Sequence, residues 1–266
     1  MDLHLTGRRA LVTGASSGIG EVIAKAMAAE GADVVAHGRD RARTEAVTAA
    51  IRATGGTARA AIGDLTTDAG ADAAAEAALE GGPIDILVNN AGAYPSRTWD
   101  EASVDDWRDI YETNVISVVR MVKRLLPSMR ERGWGRFIQI GGGLALQPGA
   151  DLPDYNASLA ARHNLTVSLA RELKGSGITS NTVAPGAILV DTAQRHFTSL
   201  APARGWGETW EEIERRVVEE SVPNDIGRLG RPEEIAAAVL YLSGPLADYV
   251  TGTTLRVDGG TILGVH

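Results

Sequence analysis

The chain has 266 residues, 44% of them hydrophobic and only 5% aromatic, enough for one large domain with a sizeable core. Its net charge of −8 argues against nucleic acid or an anionic membrane surface as a partner. With no cysteine, it has neither disulfides nor thiolate metal sites.

Residues 1–6 lack an apolar signal core, and no apolar stretch reaches membrane-spanning length. A soluble, cytoplasmic protein is therefore expected. The first strand is predicted at 9–13. It runs into the turn Thr13-Gly14-Ala15-Ser16-Ser17-Gly18-Ile19-Gly20, and a helix follows over 18–30. Strand, glycine-rich turn and helix start, in that order, make a phosphate cradle. The glycines permit close backbone approach, and the charge of a pyrophosphate sits on the free N–H groups of the first helical turn.

Further along, β-branched runs predict strands at 33–37, 57–63, 84–89, 136–140, 179–183 and 253–257. Helical patterns fall at 40–54, 67–80, 103–131, 155–174 and 232–243. This alternation predicts α/β architecture: a Rossmann-type doubly wound parallel sheet of about seven strands. No linker, repeat or low-complexity tract divides it, so 1–266 reads as a single dinucleotide-binding domain.

The segment 191–223 departs from the alternation. It carries His196, Phe197, Trp206 and Trp210 and then a charged helical run. It is expected either as a lid over the crevice at the strand ends or as an aromatic-anchored surface helix pair.

Several stretches, in order along nearly the whole chain, together resemble the short-chain dehydrogenase/reductase family. They are the turn at 13–20, Asn89-Asn90-Ala91-Gly92, Asn114 in Tyr111-Glu112-Thr113-Asn114-Val115, and Tyr155-Asn156-Ala157-Ser158. Pro185-Gly186, Gly230-Arg231-Pro232-Glu233-Glu234 and Val257-Asp258-Gly259-Gly260 complete the set. The resemblance implies a nicotinamide dinucleotide and hydride transfer with a small molecule. By resemblance, Gly14, Ser16, Ser17, Gly18, Ile19 and Gly20 line the pyrophosphate. Asp64 and Leu65 flank the adenine, Asn90 and Gly92 the ribose, and Pro185, Gly186 and Ile188 the nicotinamide. Thr192 is a further candidate, although the family's threonine position falls on Val190.

Cofactor choice has a physical handle. The second strand ends in Gly38-Arg39 with no carboxylate where an acid would hold the ribose 2′-hydroxyl. Arg39 offers a fork suited to a 2′-phosphate, so NADP(H) is favoured over NAD(H). Asp40 is left to pair with Arg39 or to cap the next helix.

The family's reaction centre is an Asn–Ser–Tyr–Lys tetrad. Asn114 and Tyr155 match it and are the expected catalytic residues, and by resemblance Tyr155 also contacts the cofactor. The serine position is Gly142, within Gly141-Gly142-Gly143, and the lysine position is Leu159. Without a cation beside it, a phenol titrates near 10 and is protonated at neutral pH. That damages alcohol oxidation, which needs a phenolate base, more than carbonyl or imine reduction. The glycine run either turns N–H groups toward a ligand or is merely a strand end. Arg162, on the helical face of Tyr155, reaches back toward it, sits in solvent, or pairs with Asp154 or Glu172. His163 reads as a surface histidine, and no spacing singles out Asp151, Asp154 or His196.

The leading expectation is thus an NADP(H)-dependent reductase of a ketone, imine or activated double bond. The alternatives are a cofactor-bound cyclase or isomerase, or a catalytically inactive regulatory or partner protein. No metal cluster is expected. By resemblance the chain forms a homodimer or homotetramer through its long helices, with Val115, Val118, Leu165 and Leu169 either as contacts or buried against the sheet.

Overall fold

Seven strands make one parallel sheet in the order β3-β2-β1-β4-β5-β6-β7, in a computed structural model that describes residues 2–264. The strands are β1 (Arg9–Val12), β2 (Asp33–Gly38), β3 (Thr57–Ile62), β4 (Ile86–Asn89), β5 (Gly135–Ile140), β6 (Ile178–Pro185) and β7 (Thr254–Val257). The helices are α1 (Gly18–Ala29), α2 (Arg41–Ala53), α3 (Asp68–Leu79), α4 (Val104–Tyr111), α5 (Ser117–Arg132), α6 (Pro153–Glu172), α7 (Asp191–Arg204), α8 (Trp210–Glu220) and α9 (Pro232–Ser243).

Central strands such as β1 and β4 are buried along their whole length, so they read as continuous apolar runs rather than alternating ones. Successive side chains still point to opposite faces. Ala10 and Val12 join a cluster with Ile23, Met27 and Val239, whereas Leu11 joins Leu87, Met121, Leu125 and Phe137 on the other face. β1 pairs with both β2 and β4. The chain order therefore reverses there, and a crevice opens at the carboxyl ends of these strands.

One expectation needs adjustment, and one pair of alternatives is decided. The helix predicted over 103–131 is interrupted by a π-helical turn, Glu112–Ile116, between α4 and α5. Asn114 lies at the centre of that turn, a local widening that residue periodicity does not disclose. Val115 and Val118 are not surface residues: each is only 7% exposed, because both pack inward. Leu169 likewise lies against the second core cluster.

The segment at 191–223 forms α7 and α8 around an apolar cluster of their own, with Trp206, Ile213, Val217 and Leu229 buried and Phe197 and Trp210 packed against them. Aromatic anchoring holds this helix pair together. The hydroxyl of Thr192, in the first turn of α7, also lies 3.2 Å from that of Tyr94 in the segment after β4. The pair thus touches the far side of the crevice as well.

Candidate active site

The glycine turn has the shape a dinucleotide needs. Gly14 and Gly18 have φ of +65° and +59°, a left-handed conformation that side chains disfavour. A methyl group at Gly20 would lie 2.4 Å from both the Gly14 carbonyl and Asn90 Nδ2, so only glycine fits where α1 meets the turn. Ser17 precedes α1 in extended conformation and makes no capping hydrogen bond with its side chain. The first-turn N–H groups are therefore left for an anion. Asn90 braces the turn from β4: its amide donates to the carbonyls of Thr13 (3.0 Å) and Gly14 (3.1 Å). Gly92 is a close approach, since a methyl there would sit 3.1 Å from Asn114 Oδ1.

His37 is a brace that residue reasoning missed. The Gly14 N–H donates to its Nδ1 (3.3 Å), the Ala15 N–H donates to its carbonyl (2.8 Å), and its Nε2 lies 3.0 Å from the Gly63 carbonyl. One ring nitrogen accepts and the other donates, so the ring is neutral. Burial holds its pKa below the ordinary value. A histidine in a strand carries no local pattern to announce this bond.

At the adenosine end, Arg39 is exposed at the close of β2, near enough to act electrostatically on Asp64 and His37. Asp40 caps α2 by accepting from the Arg43 N–H at 3.1 Å, which decides between the two roles open to it. The Asp64 carboxylate accepts from the Thr66 N–H (3.0 Å) and hydroxyl (2.8 Å), and these bonds keep its pKa below the usual range. The Leu65 side chain is 5% exposed in the core, so only its backbone can flank a base. On the other side of the crevice, a methyl at Gly186 would meet the Asp258 backbone at 2.9 Å. Ile188 is held by a parallel bridge to Gly230. Gly186, Ile188, Asn224, Arg228 and Glu234 border a cleft of about 240 Å³, next to Pro185 at the end of β6.

Tyr155 projects from the first turn of α6, whose amino end is set by Pro153. Burial pushes its phenol pKa above the ordinary value, Arg162 draws it down, and Tyr94 pushes it up, with a net rise. The phenol is therefore protonated at neutral pH. Tyr94, also unforeseen, places its ring 6.3 Å from that of Tyr155 and borders a cleft of about 360 Å³ with Pro95, Arg97 and Asp109.

Asn114 does not reach the phenol. Its amide donates to the Ala93 carbonyl (2.9 Å) and Ser158 Oγ (3.0 Å), and its Oδ1 accepts from the Ala93 N–H (2.8 Å). Its side chain is thus committed to tying the π turn to the segment after β4 and to α6.

The two departures from the tetrad fit one another. A methyl at Gly142 would lie 3.0 Å from Leu159 Cδ1 and 3.9 Å from the Tyr155 hydroxyl. Leu159, 1% exposed, fills the space a serine side chain would enter. Nor does the glycine run present a row of free N–H groups: Gly141 donates to the Val183 carbonyl (2.8 Å) and Gly142 to His163 Nε2 (3.4 Å). His163 is consequently a buried residue, not a surface one, and burial together with the charge of Arg162 lowers its pKa to about 4.

Arg162 is neither in solvent nor paired with Asp154 or Glu172. It is 4% exposed. Its Nε donates to the Asn114 carbonyl, one terminal nitrogen to the Ile140 carbonyl at 3.0 Å, and the other to the Ala91 carbonyl. Burial lowers its pKa to about 10, so it remains a cation at neutral pH. Asp154 is fully buried beside Arg97, 3.4 Å away, whereas Asp151 and His196 are exposed and join no site.

The family model described as short chain dehydrogenase matches residues 8–200. An oxidoreductase of Bacillus subtilis, YvaG, is 37% identical with the whole of both chains covered. The 3-oxoacyl-[acyl-carrier-protein] reductase FabG of Vibrio harveyi is 36% identical over 97% of this chain and 98% of its own length. The crystal structure of L-sorbose reductase from Gluconobacter frateurii, complexed with NADPH and L-sorbose, superposes with a TM-score of 0.93 at 33% identity, covering all of both chains. Sheet order, glycine turn and sequence agree, and the chain belongs to the short-chain dehydrogenase/reductase family of oxidoreductases.

Proposed function

We propose that the protein reduces the ketone of a small molecule with NADPH, and that Tyr155 donates the proton. The protonated phenol carries this reading. A neutral acid at the mouth of a dinucleotide crevice suits carbonyl reduction, whereas oxidation demands its conjugate base. When bound, the cofactor supplies the hydride. The turn at 13–20 orients the dinucleotide, with Asn90 and His37 holding that turn rigid. The Tyr155 hydroxyl delivers its proton to the substrate oxygen as that oxygen gains charge. Tyr94 and Thr192, joined across the crevice, narrow its mouth and limit water. Asn114 fixes the π turn against α6 and so the direction of the phenol. Arg39, exposed and next to the adenosine end, supports a 2′-phosphate and hence NADPH over NADH.

Reduction of ketone groups by the neighbours named above, one a sugar reductase and one an oxoacyl reductase, supports the same substrate class. The test is oxidation of NADPH by purified protein across sugar ketones, 3-oxoacyl thioesters and simple ketones. At least one ketone is expected to be turned over, and Tyr155→Phe is expected to lower that rate about 10²–10³-fold with NADPH binding retained. Failure of every ketone, or a phenylalanine variant as fast as the native protein, would overturn the reading.

A further inference from the structure

We propose that Arg162 is the charge partner of Tyr155: it replaces, from a position two helical turns along α6, the cation that the reaction centre otherwise lacks. The inference deepens the reductase reading and rests on it.

Tyr155 and Arg162 are seven residues apart on one helical face, roughly 10 Å along the axis. A long side chain on a helix leans toward the amino terminus, which carries the guanidinium of Arg162 back toward the turn that bears Tyr155. Its three acceptors show where it arrives: the carbonyls of Ala91 after β4, Asn114 in the π turn and Ile140 at the end of β5. A methyl at Gly92 would lie 3.3 Å from one of its terminal nitrogens. The guanidinium therefore lies among the strand ends that surround the reaction centre. Leu159, one turn from Tyr155 and apolar, leaves the route beside it without a competing charge.

The burial of Arg162 calls for a reason. A cation 4% exposed loses much of its hydration, and carbonyl dipoles alone return only part of that. Among the described residues no carboxylate lies within ion-pair distance of it. Asp154, the nearest acid in sequence to Tyr155, is paired with Arg97, and His163 beside it is neutral. Hydrogen bonds to carbonyls satisfy its N–H donors but bring no opposite charge to offset its burial. The other charge that faces Arg162 is the one Tyr155 acquires on giving up its proton. In the reductive direction the phenol O–H bond breaks, the proton goes to the substrate oxygen and the electron pair stays on the phenolate. Arg162 stabilises that phenolate until solvent reprotonates it. Tyr94, facing the phenol from the segment after β4, is the further titratable group against it. Arg162 thus acts through Tyr155 and is a positioning and charge-balancing residue.

The test is an ultraviolet titration of the phenol, which needs neither substrate nor turnover. The chain has five tyrosines, so the Tyr155 component is taken as the difference from Tyr155→Phe. In Arg162→Gln the ionisation of Tyr155 should move up by about one pH unit, a tenfold change in its ionisation constant. Arg162→Lys should move it less, and the double variant Leu159→Lys/Arg162→Gln should bring it back toward the native value. NADPH binding, followed by fluorescence, should change little between the glutamine and lysine variants. A Tyr155 titration that stays fixed in every folded variant at position 162 would overturn the proposal and leave Arg162 a backbone clamp. If glutamine does not fold, the neutral variant Arg162→Met decides: an upward shift of the phenol supports the proposal, and a stationary phenol contradicts it. Absence of ketone reduction in the native protein would refute the reductase reading without altering this readout.

Discussion

Gly142 and Leu159 are best understood as a packed pair. Gly142 has extended backbone (φ −179°), so nothing in its conformation demands glycine, and the demand comes from Leu159 Cδ1. Gly142→Ser alone should cost about 1–2 kcal/mol through overpacking. In combination with Leu159→Ala, the loss measured by denaturant unfolding should be smaller than the sum of the single losses by more than about 0.5 kcal/mol. Simple additivity would show that the two side chains do not compete for space. At the other end of the crevice, Arg39→Ala should weaken NADPH at least about tenfold and leave NADH nearly unchanged, since a charged hydrogen bond to phosphate is worth about 1.5–3 kcal/mol. Equal weakening of both cofactors, measured by fluorescence titration, would remove Arg39 from the phosphate site. Arg39 was legible in the sequence because the end of a strand carries it, and Tyr155 was legible through the family resemblance of Tyr155-Asn156-Ala157-Ser158. Arg162 was not: its three carbonyl partners come from three other elements, and only the packed chain brings them together.

At the scale of elements, the turn before α1 was the most readable feature. Its glycines answer to local backbone geometry, which a short stretch of sequence encodes in full. Gly20→Ala should therefore abolish dinucleotide binding or unfold the amino-terminal half, because its methyl overlaps the Gly14 carbonyl and the Asn90 amide. Calorimetric binding of NADPH at native strength would contradict that. The break between α4 and α5 was unreadable, because a π turn keeps the composition of a helix and changes only its pitch. The α7–α8 pair was legible as an interruption, but Phe197, Trp206 and Trp210 fitted a lid as well as an anchored pair, and only the packed cluster shows them anchoring it. Its link to Tyr94 was not legible, since a single bond between hydroxyls 98 residues apart leaves no periodic trace.

For the molecule as a whole, the parallel sheet flanked by helices followed from strand–helix alternation, while the order of its strands and the buried titratable groups did not. His163 and His37 are held neutral by burial, with the pKa of His163 lowered to about 4. The unfolded chain binds their protons from about pH 6.5 downward, so below that value it takes up more protons than the folded one. Stability should accordingly be level above pH 7 and fall as pH drops from about 6.5 to 4. Urea unfolding at pH 7 and pH 4.5 measures this, and equal stabilities would show that neither histidine is held neutral. We also propose a homodimer or homotetramer, supported by Tyr241, Leu246 and Tyr249, which are exposed near the carboxyl end of α9. Light scattering should give a mass at least twice that of one chain. The most direct measurement of the central claim is transfer of deuterium from NADPH labelled at the transferable position. Reduction of a ketone should leave the label on the carbinol carbon of the product. Substrate conversion with no label in the product would contradict the account.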